Sequence, residues 1–122
     1  MARPSVLIVD DHAGFRGMAR AMLEAGGFEV IGEAGDGREG ERLNAVVRPD
    51  VVLLDIQLPD ADGFTVARRL LAGDHPPAVV LVSTRDQGDY GHRISTSGAA
   101  GFIHKARLSG DTLRATLAGS RR

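Results

Sequence analysis

The run Val51-Val52-Leu53-Leu54-Asp55, followed by Ile56-Gln57-Leu58-Pro59, decides the reading of this chain. Four apolar residues, two of them β-branched, lead without a break into a carboxylate. An apolar run with no polar alternation is the pattern of a strand buried on both faces of its sheet. In open parallel sheets, ligands sit beyond the carboxyl ends of the strands. Asp55 is therefore expected where chemistry takes place, with Pro59 and Gly63 shaping the turn into the next helix. On this stretch alone, a solvated aspartate that merely ends a core strand reads equally well.

Two further runs have the same form. Ser5-Val6-Leu7-Ile8-Val9 ends in Asp10-Asp11, and Ala78-Val79-Val80-Leu81-Val82 ends in Ser83-Thr84. Phe28-Glu29-Val30-Ile31 alternates in part and reads as a strand nearer an edge. Gly101-Phe102-Ile103-His104-Lys105 reads as a short strand. Between them, Phe15, Met18, Ala19, Met22 and Leu23 mark the apolar face of a helix, stopped by Gly26-Gly27. Asp36 and Glu39 have the form of a capping box. The helix behind them carries Leu43, Val46 and Val47 and ends before Pro49. Asp62 caps a helix faced by Phe64, Ala67, Leu70 and Leu71, which Gly73 and Pro76-Pro77 end. The segment 85–98 contains Gly88 and Gly91 and almost no apolar stripe, so it is the weakest helix and the readiest to move. Ser109 caps the last helix, with Leu108 and Leu113 as a hydrophobic staple and Leu117 one turn on. Five strands alternating with five helices predict right-handed βαβ units and a doubly wound α/β fold.

The composition bounds the function. The 122 residues match the size of one ordinary domain, taken as 1–122, and can bury a core without a disulfide or metal staple. The absence of cysteine agrees with a reducing compartment. No apolar run approaches a membrane span, and Met1-Ala2-Arg3-Pro4 has no signal-peptide core behind it. A formal net charge of −1, no tryptophan and one tyrosine offer neither a basic footprint nor a stacking platform for nucleic acid. A cytoplasmic protein with no membrane contact is expected.

Parallel strands point the same way, so Asp10, Asp11, Asp55, Ser83 and Lys105 should gather at one edge of the sheet. Three carboxylates there repel by on the order of several kcal/mol per close pair. A divalent cation relieves that repulsion, and all-oxygen ligation favours Mg²⁺. Lys105 can pair with a phosphoryl oxygen, and the Ser83 hydroxyl can donate to another. Each feature alone has a plainer reading, since a lysine after a strand is commonly solvated and an Asp pair commonly caps a helix. Four such features on separate strand ends, at one edge, are harder to dismiss.

With these residues in order, the chain resembles the receiver domains of bacterial two-component response regulators, from Val6 to Leu117. The features that carry the resemblance are Asp10-Asp11, the run ending at Asp55 with Pro59 and Gly63 behind it, Ser83, and Gly98-Ala99-Ala100-Gly101-Phe102 leading to Lys105. The resemblance implies a flavodoxin-like sheet of order 2-1-3-4-5. It implies that Asp55 accepts a phosphoryl group from a phosphohistidine on a sensor histidine kinase or phosphotransfer protein. Asp11, Asp55 and the Gln57 carbonyl would hold Mg²⁺, and Asp10 would act mostly through a metal-bound water. Lys105 would pair with the phosphoryl oxygens, while Ser83 and Phe102 would shift on phosphorylation. The face formed by the fourth helix, fifth strand and fifth helix would meet an output domain, a partner or a second copy. The glycine-alanine stretch is closest to receivers that precede helix-turn-helix DNA-binding domains.

Three departures from the family pattern stand out. Ala106 replaces the usual proline after Lys105, and a cis peptide without proline costs roughly 2.5–4 kcal/mol, so a trans bond is expected. Thr84 stands where a small residue is common, and its methyl would narrow access to Asp55. The fourth helix is broken by glycine. Two rival readings remain. Asp60-Ala61-Asp62-Gly63-Phe64-Thr65 resembles the nucleophile motif of haloacid-dehalogenase-like phosphatases, but that motif sits directly at its strand end, and only Asp111 follows Lys105 as a later acid. The plainer reading of Asp60 and Asp62 is turn and cap residues. The second rival is a receiver fold that is never phosphorylated and acts as a binding module. His12, His75, His92 and His104 show no metal-ligand spacing, and His104 reads as structural or surface.

Overall fold

The computed structural model describes residues 3–120. Five strands, β1 (Ser5–Val9), β2 (Glu29–Ala34), β3 (Val51–Asp55), β4 (Ala78–Ser83) and β5 (Gly101–His104), alternate with five helices. These are α1 (Ala13–Ala25), α2 (Gly37–Val47), α3 (Gly63–Leu71), α4 (Arg93–Thr96) and α5 (Gly110–Gly119). All neighbouring strands pair in parallel, in the order β2-β1-β3-β4-β5. This is the doubly wound sheet that the alternation predicts. No described helix is long and apolar enough to cross a membrane.

Side chains alternate across a strand, and here both sides are core. Val6 and Ile8, Val51 and Leu53, and Val80 and Val82 pack with Leu23 of α1 and Leu113 of α5. Leu7 and Val9, Val52 and Leu54, and Val79 and Leu81 pack with Phe64, Val66 and Leu70 of α3 and Ile94 of α4. Every residue of β3 is buried, which is why its sequence lacks polar alternation. Burying a Leu or Val side chain contributes about 1.5–3 kcal/mol, so these three strands and the helix residues packed on them supply much of the favourable burial.

The caps follow the sequence, except that the Glu39 carboxylate pairs with Arg42 instead of closing a capping box with Asp36. Asp36 accepts the Glu39 N–H at 2.8 Å, and Asp62 accepts the Thr65 N–H at 2.9 Å. Ser109 and Thr112 cap α5 reciprocally. The described residues contain no cis peptide bond, so Lys105-Ala106 is trans as expected.

The structure corrects several local expectations. Met18 and Val46 lie on the exposed sides of α1 and α2, at 49% and 67% exposure, because the helix axes turn those flanks of the apolar stripe to solvent. β2 extends to Ala34, and a register shift opposite Val6 and Leu7 accommodates its extra residue. β5 stops at His104, and Lys105 opens a 3-10 turn over Lys105–Arg107. The segment 85–98 is a 3-10 turn (Gln87–Tyr90) and the four-residue α4, as its glycines and missing stripe foretell.

Gly63 shows where the fold admits no side chain. A Cβ there would lie 2.5 Å from the Asp55 carbonyl oxygen and 2.6 Å from Ile56 Cα, both backbone atoms. Gly17 of α1 has open space around it. Urea denaturation should therefore find Gly63→Ala destabilised by on the order of 3 kcal/mol. Gly17→Ala should be stabilised by about 0.5–1 kcal/mol, the helix-interior difference between the two residues. Equal effects at the two positions would refute this account of the β3–α3 turn.

Candidate functional site

Alternation along the strands decides which strand-end groups meet. Asp10 continues the parity of Val6 and Ile8, Asp55 that of Val51 and Leu53, and Lys105 that of Ile103, all on the α1–α5 side. The structure brings these three together. Lys105 Nζ lies 2.6 Å from Asp10 Oδ2 and 3.3 Å from Asp55 Oδ2. The Asp10 contact is ionic, off the direction that a good hydrogen bond needs. Asp10 and Asp55 are buried, and the Lys105 side chain is 11% exposed. The Phe15 ring covers the ammonium, with its centroid 4.5 Å from Nζ, a cation–π contact.

The loops behind both aspartates turn in the same way. Asp10 Oδ1 accepts the His12 N–H at 2.8 Å, and Asp55 Oδ1 accepts the Gln57 N–H at 3.2 Å. Arg16 holds the Asp10 backbone from outside, its Nη1 donating to the Asp10 carbonyl at 2.6 Å. Arg16 is fixed in turn by Glu33, whose carboxyl is held below its ordinary range mainly by the hydrogen bond from Arg20. Asp11 is exposed at the rim.

One ligand atom from each of Asp10, Asp11, Asp55 and His12 lies within 4.8 Å of the others. The donor set is mainly carboxylate oxygen, which fits a hard divalent cation. His12 belongs to this cluster, contrary to the expectation from spacing. Its Nδ1 is 3.1 Å from Asp11 Oδ1 and 3.3 Å from Asp10 Oδ1, because the helix start folds the residue after the acidic pair back over it. Gln57 is exposed beside Asp55.

The electrostatics are unbalanced. Burial, with the Asp10 charge added, pushes the Asp55 carboxyl up to about 6, against the lowering by the Gln57 N–H and Lys105. Burial alone would pull the Lys105 ammonium down, but its contacts with the two carboxylates outweigh this and hold it above its ordinary value.

Ser83 continues the opposite parity, that of Val79 and Leu81, and leans to the side of α3 and α4. It is 1% exposed. Its Oγ accepts the Arg85 N–H at 3.0 Å and lies 2.7 Å from the Tyr90 hydroxyl. The Tyr90 ring stands between Phe64 and Phe102, at centroid distances of 5.7 and 6.2 Å. Sequence reasoning missed Tyr90, Phe15 and Arg16. The lone tyrosine among glycines in an otherwise apolar-poor segment was the available signal for Tyr90. Thr84 is exposed, and its carbonyl pairs with His104 Nε2 at 2.8 Å, which gives His104 a structural role.

Asp60 and Asp62 stand apart from this cluster. Asp60 accepts the N–H groups of Gly37 and Arg38 at 2.8 and 2.9 Å, and these bonds keep its carboxyl below the ordinary range. With Asp62 capping α3, both acids of the phosphatase-like motif are engaged as caps.

A family model described as "Response regulator receiver domain" matches residues 6–118. The chain is 39% identical over 100 residues to the positive transcription regulator BvgA of Bordetella pertussis, covering 82% of this chain and 48% of BvgA. It is 36% identical over 113 residues to the transcriptional regulatory protein NarL of Mycobacterium tuberculosis, covering 92% of this chain and 52% of NarL. The chain thus spans about half the length of the curated relatives it matches. The solved signal receiver domain of that NarL superposes with a TM-score of 0.87 at 32% identity, over 99% of this chain and 98% of the other. A LuxR-family two-component response regulator from Aurantimonas superposes with a TM-score of 0.83 at 27% identity, over 96% of this chain and 86% of the other.

The raised Asp55 value has a consequence for stability without metal. Between about pH 4 and 6 the folded protein holds a proton that the unfolded chain has released, so stability falls as pH rises through that window. Above it, ionised Asp55 costs on the order of 2–3 kcal/mol. In chelator near neutral pH, Asp55→Asn should melt higher than the parent, and the gain should fade as pH falls from about 6 to about 4. Equal melting near neutral pH would show that burial does not oppose this charge.

Proposed function

The chain belongs to the response regulator receiver family, and from this premise we propose that it accepts a phosphoryl group on Asp55. The residues 1–122 are read as one such domain, acting in the cytoplasm. The donor is a phosphohistidine on a sensor histidine kinase or phosphotransfer protein. An Asp55 carboxylate oxygen bonds to phosphorus as the P–N bond breaks, and the donor imidazole takes up a proton. The observation that carries the reading is the convergence of Asp10, Asp55 and Lys105 within direct ionic contact at the buried ends of three strands.

Asp11, Asp55 and the Gln57 carbonyl would hold Mg²⁺ directly, with Asp10 acting through bound water. When bound, the cation neutralises charge on the phosphoryl oxygens and favours the ionised, nucleophilic form of Asp55. Lys105 already contacts an Asp55 oxygen and needs only a small displacement to reach a phosphoryl oxygen. Ser83 supplies a hydroxyl from the other side of β3, and Thr84 flanks it at the rim. The relatives named as transcription regulators support an output in transcription through a further domain that contacts DNA, this domain making no nucleic-acid contact itself. Phosphorylation would alter the face of α4, β5 and α5 through Ser83 and Phe102, for an output domain or a second copy to read.

Incubation with Mg²⁺ and acetyl phosphate should add one phosphoryl group by intact mass, and Asp55→Asn should abolish the addition. Equal labelling of the mutant would sink the assignment, and no labelling of the parent would favour a binding module. Beryllofluoride with Mg²⁺ should slow amide exchange in residues 83–98 more than around Leu43. Protection confined to the neighbourhood of Asp55 would rule out this route of switching.

A further inference from the structure

The Ser83 hydroxyl has few hydrogen-bonding options left. A serine hydroxyl carries one proton and two acceptor sites. The Arg85 N–H fills one acceptor site. The Tyr90 hydroxyl, at 2.7 Å, is the other polar neighbour, and at 1% exposure Ser83 has little access to water. A phenol is far more acidic than an aliphatic alcohol, and its oxygen lone pair is partly delocalised into the ring. Once an anionic oxygen accepts the Ser83 proton, the pair can only run with the Tyr90 O–H donating to Ser83 Oγ. Both acceptor sites are then filled, and Ser83 has only its proton to offer.

We infer that Tyr90 is a positioning residue that commits the Ser83 hydroxyl to donate toward an anionic, phosphoryl-like oxygen on Asp55. The inference rests on Asp55 being the phosphoacceptor. Tyr90 is well held for this task. It ends the 3-10 turn Gln87–Tyr90, which Asp86 and Asp89 cap reciprocally. Its ring is edge-on to Phe64, at 66° between planes, and tilted against Phe102. Without the phenol, one acceptor site of Ser83 is vacant and the hydroxyl proton is free to rotate among other orientations.

Tyr90→Phe keeps the ring and removes the oxygen, so it separates packing from positioning. With Mg²⁺ present, Ser83→Ala should weaken beryllofluoride binding by about ten- to a hundredfold, the factor of one hydrogen bond to a charged group, and Tyr90→Phe by about three- to tenfold, the factor of one neutral hydrogen bond. The double variant should be no worse than Ser83→Ala alone, because Tyr90 acts through that hydroxyl. A purely structural role would instead multiply the two losses in full. The chain has one tyrosine and no tryptophan, so the Fermi doublet of the parent's tyrosine in Raman spectra reads this phenol alone. Its intensity ratio should be that of a donor when beryllofluoride and Mg²⁺ are bound. Unchanged binding in Tyr90→Phe, full multiplication in the double variant, or the ratio of an acceptor would each overturn the inference. Failure of the parent to label with acetyl phosphate would count against the phosphoacceptor reading, whereas these outcomes leave that reading standing.

Discussion

A sheet covered on both faces leaves its inner strands no side on which to place a charge. β1 and β3 are apolar up to their last residues, and their core side chains lie within a few per cent of complete burial. An unpaired polar group within such a strand would cost several kcal/mol. Polar chemistry is thereby pushed to the carboxyl ends, where the next residue leaves the sheet. Alternation then sorts the groups by side. Asp10, Asp55 and Lys105 fall toward α1 and α5, and Ser83 toward α3 and α4. The charged centre and the hydroxyl–aromatic group thus occupy opposite sides of one sheet edge.

The charged side is short of positive charge. Three carboxylates face one ammonium, and Lys105 is shared between Asp10 and Asp55. Its covering by Phe15 limits solvent screening. Burial therefore weighs against the ionised form of Asp55, the form that a nucleophile needs. On the proposed reading, a divalent cation resolves this opposition, and a centre this far from neutral has good reason to take one up.

The parts of this arrangement legible in the sequence are those set by burial. The runs ending at Val9, Asp55 and Ser83 could be read because a strand with two core faces has only one kind of sequence. Asp62 and Ser109 could be read because caps are local. Met18 and Val46 were misread because periodicity defines a stripe but not how far the core reaches around it. The register shift in β2 depends on its pairing with β1, which no local pattern records. His12 entered the acidic cluster through the fold-back at the start of α1, a matter of backbone direction that ligand spacing does not capture. Tyr90 reaches Ser83 from seven positions along the chain through a bend and a 3-10 turn, so neither strand nor helix periodicity connects them.

That irregular chain explains how a small change at one edge could travel. α3 buries five of its residues, whereas α4 buries only Ile94 and the 3-10 turn before it buries none. The segment is tied to the site by the Ser83 hydroxyl, which accepts the Arg85 N–H and pairs with the Tyr90 hydroxyl, and by the ring contacts of Tyr90 with Phe64 and Phe102. One hydrogen bond contributes about 0.5–1.5 kcal/mol, and an aromatic pair a similar amount. Each such link is comparable to the typical coupling energy between sites, about 1–3 kcal/mol. Links of this size can shift a population without locking it. A better-packed fourth helix would resist the same displacement through its core contacts, so the sparse packing of 85–98 lets a weak link be enough.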